Sequence, residues 1–314
     1  MLDYHIHLFS HDDMAFDDQV TLSGVAQLCS VAKKRNLTEI AVTEHLFRFK
    51  EAKHFFLRAA EEAGDREAAD FMHDYYNFHA TLTLEHYVRI LTEAKRRGLP
   101  VVLGLEMDCL PGQMDQVNSF LSTFPFDVVL GSVHFIKGHM FDVLDSYLQV
   151  SRWNTRGAEK VFSDYLVNLE ELILSGTSDV LAHIDLVKIT GRKPSDAAFN
   201  DFESELVNFV AKSIEKTVTE DGTGESSAGP LQVVELSSAG WRKPVGEPYP
   251  SHFVLEKLFD AGVGITFASD AHEPMGIGYR FTDLRRLADR VGYKNVSRFS
   301  GRNSFSFEID KGQT

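Results

Sequence analysis

The apolar positions fall into seven short runs separated by stretches with helical spacing. The runs are 3–7, 39–45 (EIAVTEH), 101–108 (VVLGLEMD), 127–135 (DVVLGSVHF), 179–185 (DVLAHID), 231–238 (LQVVELSS) and 264–271 (GITFASDA). Apolar runs of this length, bounded by turn residues, read as buried strands. Between them apolar residues recur every three or four positions. The first helix is capped near Thr21 and runs to about Asn36, with Leu22, Val25, Leu28, Cys29 and Ala32 on one face. A second runs from about Thr83 to Arg97, where Gly98-Leu99-Pro100 stops it. Others are expected over about 158–174, 196–217, 251–261 and 283–291, and a short strand near 304–309 closes the chain. Strands alternating with helices predict an α/β fold with a parallel sheet. Seven repeats in 314 residues fit a single domain, a barrel one strand short of the eight-stranded type. The alternative is an open doubly wound sheet, but no Gly-rich phosphate fingerprint follows any strand.

Two segments break this rhythm. Residues from 47 to about 80 are rich in Phe, Ala and charge; they predict a helical insertion, either over the mouth of a site or peripheral to it. Residues 220–230 (EDGTGESSAGP) predict a flexible surface loop.

Composition narrows the partners. The formal net charge is −14, which argues against nucleic acid held by general electrostatics. It leaves room for a small anionic substrate beside a metal cluster. With only Cys29 and Cys109 there is neither a disulfide framework nor a cysteine zinc site. No run reaches membrane-spanning length, and the opening motif at residue 3 leaves no removable leader; the expectation is a cytoplasmic protein.

The chemistry sits at one recurring address. His5 and His7 are two apart on the first strand, so both imidazoles face one side. A bare H-x-H is a weak signal. His45, Glu106, His134, His183, Asp270 and His272 strengthen it, because all lie at or just past the C-terminal ends of predicted strands. In an α/β barrel those ends converge on the face that carries active sites. Six strand ends delivering imidazole or carboxylate point to metal, and His with carboxylate suits Zn²⁺, Mn²⁺ or Fe²⁺. This many ligands implies two to three ions. Such a cluster acidifies a water and binds phosphoryl oxygens, so metal-assisted hydrolysis of a phosphate ester follows. His54, His73, His79, His86, His139 and His252 read as surface or core residues; His11 stands apart because it lies near the opening motif.

The set D-x-H-x-H, T-E-H, G-L-E, G-S-V-H-F, H-I-D and S-D-A-H resembles the PHP (polymerase and histidinol phosphatase) metallophosphoesterases, from Asp3 to near Arg302. Three stretches resemble the histidinol-phosphate phosphatase branch: 131–135, 180–188, and ELSSAGWRKP over 235–244 continued by EPYP. The resemblance implies a distorted seven-stranded barrel with a trinuclear centre. It implies His5, His7, Glu106 and Asp270 on one ion, Glu106 bridging to a second held by His134 and His183, and His45 with His272 on the third. The remaining family ligand falls on Asp13, with Asp12 and His11 as competitors. An amide-bearing residue is usual in the family where this chain has Ser237, which touches the substrate contact. For phosphate the best candidate is Arg242, whose planar fork matches phosphate oxygens, followed by Lys243 and Lys188. Asp185 and Glu247 are the carboxylates considered for a cationic substrate group. Glu106, Asp270 and Arg242 form the expected catalytic set.

The expected activity is hydrolysis of L-histidinol phosphate to L-histidinol and phosphate, with no nucleic-acid or membrane partner. Rivals are the same chemistry on another phosphomonoester or nucleotide, and a metal-binding protein without turnover. An amidohydrolase-like site should carry a lysine at a strand end, and none is there.

Overall fold

Parallel pairing runs almost in chain order. In the computed structural model, which describes residues 1–62, 65–142, 153–154, 156–219 and 233–309, a seven-stranded sheet is formed by β1 (Leu2–Ile6), β2 (Glu39–Val42), β3 (Val101–Asp108), β4 (Val128–Ser132), β7 (Val180–Leu181), β8 (Val233–Ser237) and β9 (Ile265–Ala268). All neighbouring strands are parallel. The sheet closes on itself: His7 N donates to Ala271 O at 2.8 Å, and Ala271 N to His5 O at 3.3 Å. This is the barrel that the alternation predicts. Its strands are almost wholly buried, as expected where helices cover the outer face.

The helices follow the apolar spacing. Helix α1 (Leu22–Lys34) starts at Thr21, whose hydroxyl accepts from Gly24 N at 3.1 Å, and buries Val25, Leu28, Cys29 and Ala32. The insertion is an antiparallel-packed pair, α2 (Lys53–Glu62) and α3 (Arg66–His79). Helix α4 (Leu84–Arg96) ends before Gly98, which takes a left-handed φ of +80° that costs glycine little. After a short α5 (Met114–Leu121) come α6 (Ala158–Ser175), α7 (Asp196–Thr219), α8 (His252–Asp260) and α9 (Phe281–Val291). The expected loop at 220–230 lies outside the described residues. Among the described residues no helix is long and apolar enough to cross a membrane.

Two expectations needed correction, and a third was met but incomplete. The run 127–135 is not one strand: β4 stops at Ser132, and a small hairpin of β5 (Phe135–Ile136) and β6 (His139–Met140) follows. The run 179–185 pairs only over Val180–Leu181, because the chain turns at His183, whose φ is +26°. The final strand is one arm of an antiparallel hairpin, β10 (Asn295–Ser300) with β11 (Asn303–Glu308). Its turn plugs the barrel end opposite the candidate ligands: Arg302 pairs with Asp179 at 2.6 Å and donates to Thr177 O.

Tyr87 on α4 ties β2 to β3. Its hydroxyl lies 2.8 Å from Val42 O and 2.9 Å from Gly104 O, fully buried. One proton serves two carbonyls, so Tyr87→Phe removes a buried hydrogen bond with no water to replace it. The expected cost is about 1–3 kcal/mol, measured as a lower midpoint in urea with the slope of the transition unchanged.

Candidate metal centre

Five of the strand-end histidines converge on Glu106, and Asp270 and His272 join them through His5, His7 and His45. Its Oε2 lies 3.2 Å from His5 Nε2, 3.4 Å from His7 Nε2 and 2.8 Å from His45 Nδ1. Its Oε1 lies 3.1 Å from His183 Nε2 and 3.5 Å from His134 Nε2. Asp270 Oδ1 is 3.7 Å from His5 Nε2 and 3.5 Å from His7 Nε2. His272 Nε2 faces His45 Nε2 at 3.5 Å, and the His7 ring stacks between His45 and His272 at 4.1 Å from each. Three overlapping groups thus have ligand atoms within 4.8 Å of one another: His5-His7-Glu106, His45-Glu106-His134 and His7-His45-His272.

The donor chemistry fits divalent metal ions. Nitrogen and oxygen ligands at 2.0–2.1 Å from a tetrahedral ion sit roughly 3.3 Å from one another, close to the separations around Glu106. Glu106 Oε2 is buried without a hydrogen bond although three imidazoles surround it. His5 and His7 bring two ring nitrogens to 3.0 Å. Facing lone pairs at that distance need a proton or a cation between them.

A second layer fixes the imidazoles. His5 Nδ1 donates to Glu235 Oε2 at 2.6 Å, and His134 Nδ1 to Asp108 Oδ1 at 2.7 Å. Each bond selects the tautomer that leaves Nε2 free for metal. His7 Nδ1 lies 3.5 Å from Glu44. Asp3 accepts from the amide and hydroxyl of Ser269 and from Gly278 N, and so fixes the loop that carries Asp270. Asp270 itself has φ +51°, a conformation that aspartate tolerates better than most residues. Sequence reasoning gave Asp3, Glu44, Asp108 and Glu235 no role of their own. Asp108 and Glu235 also lie near strand ends, so the same address could have flagged them.

Burial and charge set the protonation. For Glu106, burial pushes the carboxyl up, but His45, His5 and His134 outweigh it and hold it well below the usual range. For Asp270, His5 and His7 likewise overcome burial. For His45, burial dominates and brings the imidazole down to about 3. For His272, burial and then the His7 and His11 imidazoles hold it well below the usual value. For His134, burial opposes charging, but Glu106 and Asp108 carry it up to about 10. Burial opposes charging of His5 and His7 as well, but Glu235 and Glu106 raise His5, and Asp270 and Glu44 raise His7. Ionised carboxylates beside neutral imidazoles are the form that ligates metal; protons on His5, His7 and His134 would be released on binding.

The comparisons with known proteins agree with this geometry. The sequence matches the PHP domain over residues 5–222. The chain belongs to the PHP domain family. A Deinococcus radiodurans protein named "Probable histidinol-phosphatase" is 30% identical over 199 residues, 63% of this chain and 68% of its own. The fold is shared with histidinol phosphate phosphatase from Lactococcus lactis, crystallised with zinc, L-histidinol and phosphate. The TM-score is 0.65, at 20% identity over 97% of this chain and 98% of that one. A structure from Listeria monocytogenes aligns with TM-score 0.66 at 19% identity over 90% and 99%. The PHP match ends before Asp270 and His272; closure of β9 on β1 brings these two to the centre.

The remaining expected residues are used in varied ways. Asp13 is exposed, and its carboxylate caps Ser10 N at 3.3 Å. The residue of that loop in contact with the imidazoles is His11, whose ring lies 3.8 Å from His272 and 5.3 Å from His45. Arg242 is exposed but donates through Nη2 to Ser269 O (2.6 Å) and Asp270 O (2.9 Å). Lys243 is half-buried and adds to burial and to His45 in holding the His11 imidazole well below its usual value. Lys188 is fully buried between Asp185 (2.6 Å) and Glu247 (3.0 Å), and it donates to Pro248 O at 3.0 Å. Its charge is thereby spent inside the protein. Ser237 is buried too; its hydroxyl accepts from Ala239 N at 3.3 Å. The insertion borders the centre through one aromatic layer: Phe47 stacks on His45 at 4.5 Å and meets Tyr75 and His79 of α3. His86 lies 2.9 Å from Val20 O, His54 3.0 Å from Glu51 O and His252 3.5 Å from Glu256, none of them a contact with the ligand candidates.

Two substitutions test this architecture. Glu106→Gln should leave the purified protein folded but depleted of metal, since it removes the anionic bridge. Glu235→Gln keeps every proposed ligand and should weaken metal affinity about 10–100-fold. Metal content after dialysis against graded chelator, with circular dichroism as the folding control, checks both.

Proposed function

We propose that this chain is a metal-dependent phosphatase that hydrolyses L-histidinol phosphate to L-histidinol and phosphate. The observation that carries the reading is Glu106, whose two oxygens face separate imidazole sets across one buried carboxylate. The substrate assignment is supported by the 30% identical relative. The centre would hold up to three ions, zinc, manganese or iron. His5, His7, Glu106 and Asp270 would form one set, with Glu106, His134 and His183 as the second. His45 and His272 would form the third, completed from the loop after β1. Divalent ions there supply an acidified water and neutralise charge on the phosphoryl oxygens.

The protein's own groups do the rest. Glu106 keeps the two halves of the centre in register. Asp270 and His272, with side chains 17% and 15% exposed, form the open side at which an ester arrives. Lys243 adds positive charge at that rim, and the exposed guanidinium of Arg242 offers a phosphate oxygen the donors not bound to Ser269 and Asp270. Lys188 orders Asp185 and Glu247; Asp185 Oδ1 lacks a hydrogen-bond partner, and these carboxylates would be the acceptors for the cationic end of histidinol.

Phosphate release from L-histidinol phosphate, beside a panel of phosphomonoesters and nucleotides, tests the reading. A kcat/KM of about 10⁴ M⁻¹s⁻¹ or more is expected, abolished by chelator and restored by Mn²⁺ or Zn²⁺. Faster turnover of another ester would keep the centre and discard the substrate. Full metal loading without any turnover would leave a metal-binding protein.

A further inference from the structure

Arg48 has the largest fully buried side chain among the described residues, yet it is absent from the ligand set. It follows β2 by six residues and lies just behind the centre. Its Nε pairs with Glu44 Oε1 at 3.1 Å. Its Nη1 donates to Asp13 O at 2.8 Å and its Nη2 to Ser10 O at 2.5 Å. The guanidinium lies 5.8 Å from the ring centres of both Phe9 and Phe47. Burying a guanidinium this deeply is costly unless its donors are satisfied. Here two backbone carbonyls three residues apart accept from it, and the Glu44 carboxylate balances its charge as an ion pair.

Those carbonyls belong to the turn 10–13, which Asp13 N also closes by donating to Ser10 O at 3.1 Å. The other end of the loop is held by the same pair, because Glu44 Oε2 accepts from Leu8 N at 3.0 Å. With both ends fixed, the loop holds His11 against His272 and His45. Asp13 has its carboxylate on Ser10 N and its carbonyl on Arg48, so it serves the turn.

We propose that Arg48 is a positioning residue which seats His11 on the His45–His272 pair, so that His11 rather than Asp13 completes the third ligand set. This rests on the metal-centre reading above but not on the identity of the substrate. The planar fork is essential to it, since a guanidinium spans two carbonyls and a carboxylate in a geometry that an ammonium does not.

The test counts metal ions in the full-length protein. His11→Ala, Asp13→Ala, Arg48→Lys and Arg48→Met would each be loaded with Zn²⁺ and dialysed against graded chelator. Metal-to-protein ratio and melting temperature are then read together. His11→Ala and both Arg48 variants should lose the same weakest-held ion, with affinity falling about tenfold or more. Asp13→Ala should keep it, and adding His11→Ala to Arg48→Lys should cost no further ion. Loss of the ion in Asp13→Ala with retention in His11→Ala would overturn the proposal. So would Arg48→Lys that melts lower with its metals complete, which is what a merely structural arginine predicts. If Arg48→Met does not fold, Arg48→Lys and the two exposed-loop variants decide. Failure to hydrolyse histidinol phosphate leaves these counts standing, so the two readings fail separately.

Discussion

One buried carboxylate governs this molecule. Glu106 is about 1% exposed, and an ionised group so far from water is tolerated only when opposite charge or metal surrounds it. Five imidazoles from four strand ends provide those surroundings. Three of them, His5, His134 and His7, are flanked in turn by Glu235, Asp108 and Glu44, and Glu44 by Arg48. Charge therefore alternates outward in layers: carboxylate, imidazole, carboxylate, guanidinium. Each layer compensates the one inside it.

Barrel closure and ligand placement are the same event. The backbone bonds that join the first strand to the last run between His5, His7 and Ala271. Ala271 sits between Asp270 and His272, so the contacts that close the sheet also set four candidate ligands. Asp3 reinforces the seam by gripping Ser269 and Gly278. A change that loosened this seam would disturb metal binding before it unfolded the sheet, because ligand distances are held to tenths of an ångström and strand pairing is not.

Much of this was legible in the sequence, for a local reason. Strand burial and helix spacing are written into neighbouring residues, and strand ends in a parallel barrel share one address. Hence β1 to β4 and the convergence of His5, His7, His45, Glu106, His134, His183, Asp270 and His272 could be read without a structure. What could not be read depends on contacts between distant residues. The brevity of β7 follows from the turn at His183, and β10 lacks an alternating pattern of burial. Helix α5 is only eight residues long and buries three of them. The choice between His11 and Asp13 hangs on where Arg48 anchors their loop. Spacing counts residues along a chain; it does not show which way a turn faces.

Charge shows why metal and substrate belong to one problem. The chain carries a formal −14, and a phosphate ester must approach through that field. Cations near the centre are largely committed: Lys188 lies between two carboxylates, Arg48 beneath Glu44, and Arg242 holds two carbonyls. The protein alone has little positive charge to offer an anion there. Ions in the Glu106 centre would reverse the local sign, so metal loading would govern phosphate affinity as well as turnover. The centre also has an inner and an outer side: Glu106 is sealed, while Asp270 and His272 meet solvent. An anion would therefore arrive on the side that Asp270 and His272 open to solvent, away from sealed Glu106.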